Sequence, residues 1–82
     1  MKKVFVLTIS DVADFENFPQ SPSVFEKKED ALSSMKSYKE DFLKGIDSEW
    51  VVEEGETCFS AYIDGRYAEN HYDITIYECR VN

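Results

Sequence analysis

Residues 57–81, TCFSAYIDGRYAENHYDITIYECRV, decide how this chain folds. Phe59, Ala61 and Ile63 alternate with Cys58, Ser60 and Tyr62. Tyr72, Ile74 and Ile76 alternate with Asp73, Thr75, Tyr77 and Cys79. A period of two sends successive side chains to opposite faces of a strand, so both runs read as strands with one apolar face. Matching those faces antiparallel sets Ile63 opposite Tyr72, Ala61 opposite Ile74 and Phe59 opposite Ile76, with residues 64–71 as the loop. A rival register uses Asp64-Gly65 as a two-residue turn and sets Ile63 opposite Arg66 and Phe59 opposite Asn70. Only even offsets between registers keep the faces intact, because a one-residue slip turns every side chain over.

Working outward, residues 3–10 form a first strand. Val4, Val6 and Thr8 share one face; Phe5, Leu7 and Ile9 share the other. Apolar residues on both faces predict a central strand. Residues 11–23 have no period, carry Pro19 and Pro22, and read as a long loop. Within it, Phe15 and Phe18 are spaced for a helical turn that would drop both rings on the core edge. Val24 and Phe25 form either a short strand or the lead-in to a helix over 27–44. There Ala31, Leu32, Met35, Tyr38, Phe42 and Leu43 make an apolar stripe. Gly45 is expected to cap that helix in the left-handed region. Residues 49–54, EWVVEE, read as a short edge strand protected by acid.

The chain of 82 residues is expected to form one domain over 1–82. The fold class is α+β: a three- to four-stranded, mainly antiparallel sheet with one amphipathic helix on one face, in the order β-α-β-β-β. Such a helix covers one face only. The second face collects Val4, Val6, Cys58, Ser60, Tyr62, Thr75, Tyr77 and Cys79. A half-apolar, tyrosine-bearing face without cover is what a homodimer or a protein partner packs against.

The net charge of −8 repels phosphate, so neither nucleic acid nor an anionic membrane is an expected partner. No apolar run reaches the ~18 residues of a membrane span. MKKVFVLTIS reads as a strand rather than a leader, and a cytoplasmic protein with reduced thiols is expected. Cys58 and Cys79 lie on one face of neighbouring strands, opposed or one pair apart; they read as half-buried thiols, with a cross-strand disulfide as the alternative.

No P-loop, GxGxxG, GxSxG or HExxH pattern occurs, and the cysteine spacing is no zinc motif. The sequence therefore assigns no catalytic residue, no metal ligand and no cofactor. A weaker candidate is a ligand or enzyme site between the 11–23 and 64–71 loops, using Tyr67, His71 and Tyr72. A third reading takes Asp47, Glu49, Glu53, Glu54 and Glu56 as an acidic surface that blocks a DNA-binding protein.

KVFVLTI at 3–9, VFEKKEDAL at 24–32, WVVEEGETCFSAYIDGRYAENHY at 50–72 and ITIYECRV at 74–81 together resemble small uncharacterised βαβ-type proteins of bacteria, phages and mobile elements. The resemblance implies a strand–helix entry and an acidic closing strand, and carries no activity. The leading expectation is a non-enzymatic interaction or accessory module.

Overall fold

The two longest alternating runs become the two longest strands. The computed structural model describes residues 2–18 and 20–81, so Pro19 lies outside the described residues. Strand β1 (Lys2–Ala13) pairs antiparallel with β6 (His71–Val81) along almost its whole length, from Lys2 opposite Val81 to Val12 opposite His71. β5 (Cys58–Ile63) pairs with the other side of β6, and β4 (Trp50–Glu54) pairs with β5. The middle strand is β6, with β1 an inner strand beside it.

The architecture is α+β with a mainly antiparallel sheet, as the alternation predicts, but among the described residues the sheet has six strands rather than three or four. The difference lies in residues 11–25. The first strand does not stop at Ser10. Val12 and Ala13 continue it, and Asp14 and Phe15 then turn the chain with φ of 50° and 69°. β2 (Glu16–Asn17) returns along β1, and β3 (Ser23–Phe25) pairs further down the same side, Val24 opposite Val6. An uncovered strand edge exposes unpaired N–H and C=O groups, and a short returning segment is one way to cover it. Phe15 and Phe18 consequently stay exposed instead of capping the core.

The β5–β6 register falls between the two expected ones: Phe59 is opposite Ile74 and Ala61 opposite Tyr72. It differs from each by an even offset, so the faces are those predicted. The cause is the loop. Gly65 takes φ 75°, the Arg66 N–H donates to the Ile63 carbonyl at 2.8 Å, and the Glu69 and Asn70 N–H groups donate to the Arg66 carbonyl at 3.1 and 3.0 Å. That coil is longer than a two-residue turn and shorter than the eight-residue loop.

The helix, α1 (Lys28–Leu43), lies across the face formed by Leu7, Phe59, Ala61, Tyr72, Ile74 and Ile76, against which it buries Ala31 and Met35. Phe42 extends this core, stacking on Tyr72 at 4.3 Å and meeting Trp50 edge-on at 5.3 Å. Burying each large apolar side chain is worth about 1.5–3 kcal/mol, so Leu7, Phe59 and Ile74 anchor the fold. The apolar stripe is narrower than its spacing suggests, since Tyr38 and Leu43 remain exposed. Gly45 does not enter the left-handed region: Lys44 closes the helix in αR, and the Gly45 N–H donates to the Phe42 carbonyl at 3.1 Å. Among the described residues no helix is long and apolar enough to cross a membrane.

Candidate functional site: the open face of the sheet

Helix α1 occupies one side of the sheet, and the residues of opposite parity face the other way. Val4, Val6, Thr8, Ser10 and Val12 of β1 stand opposite Cys79, Tyr77, Thr75, Asp73 and His71 of β6. Cys58, Ser60 and Tyr62 of β5 continue three of these rows, and Val24 of β3 continues the row of Val6. All eight residues expected on the second face, Val4, Val6, Cys58, Ser60, Tyr62, Thr75, Tyr77 and Cys79, therefore share it.

The face has two halves of different chemistry. One half holds Val4, Val6, Val24, Tyr77 and Cys79, with Thr8 and Thr75 at its inner border. Val24 is 64% exposed and Tyr77 53%, and no residue of this group carries a charge at neutral pH. Lys2 and Glu26 neutralise each other at its rim, 2.9 Å apart.

The other half is a hydrogen-bonded network. The Ser60 hydroxyl donates to Asp73 Oδ1 at 2.6 Å, and the Tyr67 hydroxyl donates to Asp73 Oδ2. Tyr67, raised over the sheet by the 64–70 coil, stacks on the His71 ring at 4.4 Å and meets Tyr62 edge-on at 5.5 Å. His71 Nδ1 lies 2.8 Å from the Tyr67 carbonyl. A carbonyl only accepts, so Nδ1 carries the proton. In the neutral ring Nε2 then accepts from the Ser10 hydroxyl, 2.9 Å away. The hydrogen bond to Asp73, together with partial burial, pushes the Tyr67 phenol up to about 12. On the helix side Asp11 is also raised, chiefly by burial, with the nearby His71 acting against it.

No family model matches this chain, and no curated protein or solved structure does either. The reading of the site therefore rests on its own chemistry.

A hydroxyl bonded to an oriented imidazole has the polarity of a nucleophile and its base. Acyl transfer also needs donors aimed at a developing oxyanion and a place for the substrate. Ser10 instead sits two pairs from the Val12–His71 end of the β1–β6 ladder, on an open sheet surface. Its partners form a closed set in which each polar group is already bonded, which suits a clamp that holds the 64–70 coil down. That coil holds the 11–23 segment in turn, because the Phe15 N–H donates to the Glu69 carbonyl at 3.0 Å and the Asp14 N–H to Asn70 Oδ1 at 3.1 Å.

The three loop candidates separate. Tyr67 and His71 meet on the open face. Tyr72 faces the helix and is buried, its phenol raised by burial and then by Asp11, Tyr38 and Asp41. Two clefts, of about 380 and 250 Å³, lie elsewhere: one is lined by Glu49, Ile63, Asp64 and Arg66, the other by Phe5, Lys28, Thr57, Ile76 and Glu78. None of Tyr67, His71 or Tyr72 lines either. Among the described residues no three His, Cys, Asp or Glu side chains are placed to share a metal ion.

The cysteines are neither opposed nor one pair apart. Cys58 is opposite Thr75, so Cys79 stands four residues further along β6. At ~3.3 Å per residue that is roughly 13 Å, well beyond the ~7 Å a disulfide can bridge. Both thiols are free and exposed rather than half-buried. The acidic run is partly neutralised from the helix: Lys39 pairs with Glu54 at 2.9 Å and Lys28 with Glu56 at 2.5 Å, which draws the Glu56 carboxyl below its usual range.

Sequence reasoning missed Ser10, Val24 and Asp73. Parity alone puts Ser10 with Val4 and Val6. The partners of Asp73 depend on the exact register, which parity does not fix.

Proposed function

We propose that the protein is a non-enzymatic interaction module that works as a homodimer, with the open face of one copy packed on the open face of another. The observation that carries this reading is the uncharged half of that face, Val4, Val6, Val24, Tyr77 and Cys79, in a chain of net charge −8. Two such chains repel at long range, so a self-contact belongs where no acid is buried. A strongly basic partner would find nothing to pair with there. Size fits as well. The molecule measures 43 × 20 × 17 Å, and its broad side is comparable with the ~800 Å² per partner of a standard interface. A two-fold contact uses one patch twice, and a neutral apolar patch is compatible with itself.

The test is sedimentation equilibrium from low micromolar to millimolar protein. A dimer is expected, and Tyr77→Asp is expected to leave a folded monomer, because each copy would then bury an unpaired carboxylate. A wild-type chain that stays monomeric throughout, or a Tyr77→Asp variant that dimerises unchanged, overturns the reading.

A further inference from the structure

The outer edge of β4 lies away from the proposed dimer face, and its chemistry points to a different occupant. The Gly55 N–H donates to the Cys58 carbonyl at 2.9 Å. In an antiparallel ladder hydrogen-bonded pairs recur at every second residue, so Glu53 with Ser60 and Val51 with Tyr62 are the next such pairs. The backbone groups of Trp50, Val52 and Glu54 then point outward. The Trp50 N–H is taken by the Asp47 carbonyl at 3.4 Å. The others have no strand beside them among the described residues.

The side chains along this edge have an order. On the open-face side they run Glu49, Val51, Glu53: acid, apolar, acid. On the helix side they run Trp50, Val52, Glu54, where Glu54 is held by Lys39. Tyr62 donates weakly to Glu53 at 3.4 Å, and neither Glu49 nor Glu53 has a cation within salt-bridge distance among the described residues. The cleft of about 380 Å³ at the start of the strand has Ile63 with Glu49 and Asp64 on its wall, alongside Arg66. An extended lysine stem fits such a wall, apolar below and acidic at the rim.

We infer that β4 is a docking edge for an extended basic segment of a partner protein, which adds to the sheet as a further strand. Backbone pairing with the Trp50 carbonyl and with the N–H and C=O groups of Val52 and Glu54 gives affinity; alternation gives specificity. The segment complementary to Glu49-Trp50-Val51-Val52-Glu53 is basic–apolar–any–apolar–basic. Its two cations face Glu49 and Glu53, and its apolar residues lie beside Trp50 and Val52. Opposite charges directly across a strand pair attract, and like charges there repel. The pattern reads the same in both directions, so it does not depend on whether the added strand runs parallel or antiparallel. This proposal does not rest on the homodimer, since a monomer presents the same edge.

The probe is acetyl-Lys-Val-Thr-Val-Lys-amide, titrated into the ¹⁵N-labelled full chain at low salt. Amide shifts are expected along residues 49–54 and at Asp64, with little change at Val6, Thr75 or Tyr77. Backbone N-methylation of alternate peptide residues is expected to abolish them. Raising the salt to about 0.5 M is expected to weaken binding severalfold, because exposed pairs are screened. Glu49→Lys with Glu53→Lys is expected to weaken it about tenfold. These two positions are on the surface, so the double variant should fold, and its unchanged spectrum outside β4 verifies that it does. The proposal is overturned by an absence of shifts at millimolar peptide, by shifts centred away from β4, or by equal binding of the N-methylated peptide. Equal binding to the charge-reversed variant overturns it too.

Discussion

At the residue scale the costliest conformation is that of Phe15. A bulky side chain at φ 69° sits in the left-handed region, which disfavours L residues by about 1–2 kcal/mol, and its ring is 73% exposed and so recovers little by packing. The two bonds from Asp14 and Phe15 to the 64–70 coil hold it there. Phe15→Gly removes the strain while freeing the unfolded chain, so a net gain of about 0.5 kcal/mol is expected in urea unfolding, against a loss of about 1 kcal/mol for Phe15→Val. Tyr67 makes the second residue-scale prediction. Its phenol, raised from 10.0 to about 12 by Asp73, binds its proton more tightly in the folded chain than in the unfolded one. Its contribution to stability is therefore complete below pH 10 and lost as the pH rises through 12. Tyr67→Phe should cost about 1 kcal/mol at pH 8, less than the shift alone would give because water screens a side chain that is half exposed. The gap between the two unfolding midpoints should close between pH 10 and 12; a gap constant with pH would show that the Asp73 bond contributes nothing.

At the scale of elements, what the sequence makes legible is periodicity, and what it hides is how the ladders end. Leu7, Phe59, Ile74 and Ile76 reveal their face because strand parity is a local property. Helix α1 reveals itself because Ala31 and Met35 sit four apart. The short strands β2 and β3 stay hidden for the opposite reason: Glu16–Asn17 and Ser23–Phe25 are too short to show a period, and a turn of two non-glycine residues in the left-handed region has no sequence signal. The register of β5 on β6 is hidden too, since it depends on how the 64–70 coil folds rather than on the strands it joins. That register fixes the network, because it places Asp73 between Ser10 and Ser60 and His71 between Val12 and Tyr62. It also fixes the fate of the thiols. With Cys58 opposite Thr75, no cross-strand bond is expected within one chain, and a thiol count after mild oxidation of dilute protein should return two free groups per chain. The register expected from the apolar faces alone would bring Cys58 opposite Tyr77, next to Cys79, so a rapid intramolecular disulfide would argue for that pairing instead.

At the scale of the whole molecule the sheet carries cover on one side only among the described residues, and the consequence is thermodynamic. A chain of this length buries a limited share of its surface alone, so any burial between copies would add a large fraction of its stability. If the uncharged half of the open face is the dimer contact, unfolding is coupled to dissociation, and the melting temperature must rise with concentration by mass action. Over a hundredfold range the mass-action term is about 2.7 kcal/mol of dimer, which for a domain of this size shifts the midpoint by several degrees. Tyr77→Asp should make the midpoint independent of concentration, and at high dilution it should melt close to the wild type, because Tyr77 is exposed in the single chain and supports little of its core. Substituting Ile74, which lies on the helix side and is fully buried, by alanine should behave in the reverse way. It should lower the midpoint at every concentration by the equivalent of about 3 kcal/mol and leave the concentration slope in place. The pair of variants separates the two faces of one strand: β6 holds the fold together with Tyr72, Ile74 and Ile76 and presents its odd residues outward, and only the odd ones should be sensitive to protein concentration.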